Sequence, residues 1–141
     1  TERERCARAL EQLGISDLAQ RGIAQLSGGE RQLALIARAL VQDARVLIMD
    51  EPTANLDYGN QRRVMQQVRA LADSGYTILL STHNPEHALH YATQVLALQN
   101  GRVIADSVTA DTLTPELLAR LYGIRAEVRR IDGHTVLIPL D

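Results

Sequence analysis

Two short apolar runs, Val46-Leu47-Ile48-Met49 and Thr77-Ile78-Leu79-Leu80, constrain this chain more than any other feature. Each is unbroken and bounded by polar residues, the pattern expected of a strand buried on both faces. Between them Val64, Val68 and Leu71 fall on one side of a predicted helix. Asp57 is placed to cap that helix and Ser74-Gly75 to stop it. Strand, helix, strand in this order predicts a βαβ unit with parallel strands and a right-handed crossover. The carboxyl ends of both strands then share one sheet edge, where open α/β sheets bind ligands. Asp50 and Glu51 follow the first run, and Ser81, Thr82 and His83 follow the second. Strands lie about 4.8 Å apart, so Glu51 and His83 are expected within about 5–10 Å, the span of one small substrate.

The flanking segments read as helices and hairpins. Thr1-x-x-Glu4 is a capping box, Cys6, Ala9, Leu10 and Leu13 follow at helical spacing, and Gly14 is the stop. Residues 15–26 read as irregular with short helical pieces. Ser27-Gly28-Gly29-Glu30 is a second capping box, opening a helix with Leu33, Ile36, Ala37, Leu40 and Val41 on its apolar face. Asn84-Pro85 starts a short helix. Asn100-Gly101 and Asp132-Gly133 are hairpin turn signals, between 93–99 and 102–107 and between 125–131 and 134–139. Thr114-Pro115-Glu116 opens a helix that Gly123 ends. The expected class is α/β, with parallel strands followed by C-terminal antiparallel hairpins.

Composition narrows the functions. The chain has 141 residues, one domain's worth, with net charge −2 and 3% aromatic residues. Neither a basic stripe nor aromatic stacking platforms point to nucleic acid. One cysteine, Cys6, rules out an internal disulfide. No apolar run approaches the ~18–20 residues of a membrane helix. Thr-Glu-Arg-Glu-Arg at the start is not a signal peptide and lacks an initiator Met, so the chain is expected to be a piece of a longer one.

Three segments have both a structural and a chemical reading. Asp50-Glu51 is either a solvated turn or a pair in which one carboxylate holds Mg²⁺ and the other orients water. Ser27-Gly28-Gly29 is either a helix cap or an anion site, where glycines let the backbone approach a phosphate. His83, His87 and His90 have a spacing that could suit zinc, but Pro85 interrupts them, no Cys joins them, and His87 and His90 are expected on the exposed side of a short helix.

Together these segments resemble the ABC-type ATPases. Leu26-Ser27-Gly28-Gly29-Glu30-Arg31-Gln32 is similar to their LSGGQ signature, Val46 to Glu51 to the Walker B strand, Ala54-Asn55-Leu56-Asp57 to the D-loop, and Ser81-Thr82-His83 to the H-loop. All four stand in the family's order. The resemblance implies the P-loop NTPase fold and the cofactors ATP and Mg²⁺. It implies that Asp50 holds Mg²⁺ through water, Glu51 polarises the attacking water and His83 binds the γ-phosphate. Ser27, Gly28, Gly29 and Glu30 would close over an ATP held by a second nucleotide-binding subunit, and Asp57 would communicate across that homodimer. Glu30 in place of Gln fits the capping box, which accepts either.

One part of the pattern is missing. The phosphate loop, G-x-x-x-x-G-K-[ST], needs a lysine, and all 15 basic residues here are arginine. Residues 1–122 are therefore expected to be the C-terminal part of a nucleotide-binding domain, with 123–141 a hairpin extension. The isolated chain is expected to be inactive and to leave strand edges at 46–49 and 77–80 unpaired. Glu51 to Gln61, His83 to Ala88 and Leu121 to Ile124 resemble the importer ATPases for iron–siderophore, haem and cobalamin. Those work at the cytoplasmic face of the inner membrane with transmembrane permease subunits and, indirectly, a periplasmic or surface solute-binding protein. The alternatives are an importer ATPase for another solute, a non-catalytic fragment, and a soluble ABC ATPase outside transport.

Overall fold

The computed structural model describes residues 1–140, with 110 and 111 by backbone only. It divides into a unit of residues 1–81 and a second unit from Thr82 onward.

The first unit opens with α1 (Glu2–Gln12), capped by Thr1 and Glu4 as the sequence predicts. Gly14 follows in the left-handed region, at φ 64°, where only glycine is free of Cβ strain. Two single-turn 3₁₀ pieces, Ser16–Leu18 and Ile23–Gln25, fill the irregular stretch. Next come α2 (Gly28–Val41), β1 (Val46–Met49), α3 (Tyr58–Asp73) and β2 (Thr77–Leu80). The strands pair in parallel, Val46 opposite Thr77 and Met49 opposite Leu80. They are direct neighbours, as the βαβ reading requires.

The core of this unit is aliphatic. Leu13, Ile15, Leu33, Ile36, Val64, Val68 and Leu71 are buried, and Leu47, Met49, Ile78 and Leu80 face them from the sheet. Side chains alternate across a strand, so the odd and even positions have different fates. Val46, Ile48 and Leu79 are exposed on the opposite face. The expectation of strands buried on both faces is thus corrected: among the described residues, one face of this two-stranded sheet packs against the unit's core. Cys6, expected on the apolar face of α1, is exposed, whereas Ala9 and Leu13 of that face are buried.

The second unit begins with α4 (Pro85–Tyr91). A hairpin follows, β3 (Gln94–Gln99) and β4 (Arg102–Val108), turning at Asn100 and Gly101 with φ 51° and 73°. A one-turn helix, α5 (Thr109–Thr112), has no counterpart in the sequence reading. Helix α6 (Pro115–Tyr122) ends on Gly123 in the left-handed conformation. The chain closes with β5 (Arg125–Ile131) and β6 (His134–Leu140). Ala97, Leu113, Leu117, Leu118 and Ala126 form the core.

Candidate functional site

Parallel pairing brings two acidic residues and one hydroxyl to the carboxyl end of the sheet. The ladder runs one step beyond the strands, with the Ser81 N–H donating to the Met49 carbonyl at 2.9 Å. Ser81 is thereby set opposite Asp50. Its hydroxyl donates to Asp50 Oδ1 at 2.5 Å and accepts the Glu51 N–H at 2.9 Å. Glu51 itself has φ 42°, a region that costs a non-glycine residue on the order of 1 kcal/mol and persists where its surroundings hold it. The Ala54 N–H bonds the Glu51 carbonyl at 3.0 Å, so the residue is held on both sides. Asp50 is exposed and the segment is a turn, but both residues are held by hydrogen bonds.

The second feature is the N-terminus of α2. Ser27 Oγ accepts the Glu30 N–H and Glu30 Oε2 accepts the Ser27 N–H at 2.8 Å, completing the predicted capping box. The Ser27 N–H and hydroxyl hold the Glu30 carboxyl below its usual value. Gly28 and Gly29 occupy the first two helical positions, whose N–H groups have no partner within a helix. The structure gives these glycines a further reason. A Cβ on Gly28 would lie 2.9 Å from Leu56 Cδ2, and one on Gly29 would overlap the Asn60 amide, with Asn60 Cγ at 2.7 Å. The backbone is bare here because the loop before α3 and the first turn of α3 pack against it.

Asp57 caps α3 by accepting the Asn60 N–H at 2.9 Å and the Asn60 side-chain amide at 2.6 Å. Both bonds, the backbone one first, hold the Asp57 carboxyl below its ordinary value. One side chain, Asn60, thus touches the Asp57 carboxylate on one side and Gly29 on the other.

The third feature lies in the second unit. His83 is exposed and sits between two residues held by one imidazole. His87 Nδ1 is 3.2 Å from Thr82 Oγ1 and Nε2 is 3.4 Å from Asn84 Nδ2. The Asn84 N–H also donates to Thr82 Oγ1, at 3.1 Å. His87 was expected on the exposed side of its helix and is instead buried, 9% exposed. Its two ring nitrogens serve Thr82 and Asn84, which accounts for the inward turn of the ring. Burial pushes the His87 pKa down.

Comparison with known proteins shows what the chain is similar to. Residues 1–54 match the ABC transporter family. Over 136 residues, 96% of this chain, the sequence is 46% identical to the phosphonates import ATP-binding protein PhnC of Burkholderia pseudomallei, of which it covers 44%. It is 39% identical to the hemin import ATP-binding protein HmuV of Agrobacterium fabrum, covering 94% of this chain and 54% of that one. Its fold matches that of an ABC transporter assigned to the metal-chelate type, solved in an inward-facing conformation. There the TM-score is 0.88 and the identity 30%, over 98% of this chain and 57% of that chain.

The chain is thus similar to part of ABC transporter ATP-binding proteins, with the family match itself on residues 1–54. It spans about half the length of the curated relatives it matches. The Walker B-like end (Asp50, Glu51) and Ser81 meet in the first unit, as do the signature-like and D-loop-like segments, through Gly28, Gly29, Leu56 and Asn60. His83 belongs to the second unit. The sequence reading grouped Ser81 with His83, overlooked Asn60 and set His87 on the exposed side of its helix. Register could have found Ser81, because a residue directly after β2 faces the residue directly after β1. Nothing in the linear pattern announces Asn60, whose role appears only when two helix N-termini pack together.

Proposed function

We propose that this chain is the C-terminal part of the ATP-hydrolysing subunit of an ABC importer. The observation that carries this reading is the pair of ordered strand-end residues, Asp50 and Glu51, in a domain segment related to import ATP-binding proteins. ATP and Mg²⁺ are the implied cofactors. The donor chemistry at Asp50 fits a hard cation: a carboxylate whose orientation is set by a hydroxyl. Among the described residues no cluster of three metal-ligating side chains exists. Mg²⁺ keeps waters and takes one or two carboxylates together with substrate phosphates. When bound, the ion neutralises charge on the phosphates. Glu51 polarises the attacking water, and His83 binds the γ-phosphate and helps place that water. Ser27, Gly28, Gly29 and Glu30 face the nucleotide of a second, identical subunit, and Asp57 links the two sites.

Residues 1–122 form the nucleotide-binding part and 123–141 an extension. The partners are the second subunit, membrane permease subunits and, indirectly, a solute-binding protein, at the cytoplasmic face of the membrane. Among the described residues no helix is long and apolar enough to cross a membrane. The solute is an iron chelate, haem or a cobalamin-type compound, a reading supported by the likeness to the hemin import protein and to the metal-chelate type transporter. A phosphonate is the competing solute, favoured by the 46% identity to a phosphonates import protein. The 141 residues contain no lysine, so hydrolysis belongs to a full-length protein that supplies the phosphate loop.

The deciding experiment is Glu51→Gln in that full-length protein, with nucleotide binding and steady-state hydrolysis measured separately. Turnover falls by about 10²-fold or more, the scale of a lost general base, while ATP binding is kept. Turnover at the wild-type rate would remove Glu51 from this role.

A further inference from the structure

We propose that Ser81 is a positioning residue for the Asp50–Glu51 pair, a role that rests on the reading of that pair given above. Ser81 belongs by sequence to the Ser-Thr-His segment, yet its side chain serves the other strand. One oxygen does two jobs: it donates to Asp50 Oδ1 at 2.5 Å and accepts from the Glu51 N–H at 2.9 Å. A hydroxyl is the smallest side-chain group that is at once donor and acceptor. The bond to Asp50 fixes the plane of the carboxylate. The bond from the Glu51 N–H, with the Ala54 N–H on the Glu51 carbonyl, clamps both peptide units flanking the Glu51 Cα at φ 42°. The direction in which the Glu51 side chain leaves the backbone follows from that clamp. Without the hydroxyl, Glu51 relaxes toward the favoured negative-φ region, and its carboxylate swings away from the place where water must stand. Such sites work by holding reacting groups within fractions of an ångström, and a misplacement of about 1 Å costs on the order of 10²-fold in rate.

The test compares Ser81→Thr, Ser81→Ala and Ser81→Val with Glu51→Gln in the full-length protein. Thr keeps the hydroxyl, and Val has its shape without it. Two quantities are read: amide hydrogen exchange of Glu51 without nucleotide, and kcat against KM for Mg·ATP. The expected result is faster Glu51 exchange and roughly 10- to 100-fold lower kcat in S81A and S81V, with KM within about twofold of wild type. In S81T both quantities stay near wild type. Equal losses in S81T and S81V would make the role steric and overturn the proposal. So would unfolding of both S81A and S81V, which would make the bridge a stability element. Wild-type exchange and turnover in S81A and S81V, beside an inactive E51Q, would overturn the Ser81 role and leave that of Glu51 standing. Normal turnover in E51Q would instead overturn the reading on which the proposal rests.

Discussion

A buried imidazole with both ring nitrogens engaged, as at His87, is suited to its neutral form. The Asn84 amide nitrogen is a donor, so Nε2 accepts and Nδ1 carries the hydrogen toward Thr82 Oγ1. Burial lowers the folded pKa from its ordinary value of 6.5. The unfolded chain therefore binds more protons between the two values, and stability rises with pH there. The contribution is complete above 6.5 and is lost as pH falls toward and through the lower folded value. Thermal melts of wild type and His87→Gln, at about pH 8 and about pH 5.5, check this: the variant loses less stability on acidification. Glu30, Asp57 and Glu116 are also held below their usual values, but they act at more acidic pH. His87→Ala costs about 1–3 kcal/mol, because Thr82 and Asn84 lose a buried partner. The sequence could not show this. Three histidines near a proline look exposed on a wheel, and only packing decides that one of them turns inward.

At the scale of elements, the glycine pair of α2 separates two effects. Helix propensity favours Gly→Ala by up to about 1 kcal/mol at either position. At Gly28 the new methyl meets the end of a flexible leucine, Leu56 Cδ2, at 2.9 Å. Leu56 shifts cheaply, and Gly28→Ala is close to neutral. At Gly29 the methyl meets the Asn60 amide, which its bonds to Asp57 hold in place. Gly29→Ala is expected to destabilise by about 1–3 kcal/mol, the scale of overpacking. Its cost shrinks in an Asn60→Ala background, and chemical denaturation of the four chains of that double-mutant cycle gives the coupling directly.

Element boundaries, by contrast, were plain beforehand. Thr1, Ser27, Asp57, Asn84 and Thr114 all cap the helices they were expected to open. Asn100-Gly101 and Asp132-Gly133 turn the hairpins. Caps and turns are local chemistry, and local chemistry is legible in a line of residues. The one-turn α5 escaped because its Thr-Ala-Asp-Thr stretch carries no apolar period.

For the whole molecule, the exposed face of the β1–β2 sheet matters most. Ile48 is 78% exposed and Leu79 59%, on adjacent strands that, among the described residues, pair only with each other. A flat apolar sheet face with open edges invites association. The 141-residue chain alone is expected to self-associate at micromolar concentration, and sedimentation velocity should show it. Ile48→Thr with Leu79→Thr shifts the distribution toward monomer, since Thr keeps strand preference while reducing apolar area. A monodisperse wild-type monomer would contradict this. The apolar tetrads promised strands covered on both sides, and in that sense the sequence describes a larger sheet than this chain forms among its described residues.

The order in which such a chain assembles follows from where its pairings lie. Both hairpins join segments next to each other along the chain, and each closes through a two-residue turn. The Ser81–Asp50 bridge joins residues 31 apart. Closing a loop of that length costs more entropy than closing a hairpin, and the cost precedes the contacts that offset it. The β1–β2 pairing spans α3, so the ordering of Asp50 and Glu51 through Ser81 is expected to follow the local pairings. Hairpin turns and helix caps need only local closure, whereas order at Asp50 and Glu51 needs the β1–β2 pairing. The strand-end pair proposed for the chemistry is thereby expected to be ordered only once β1 and β2 have closed around α3.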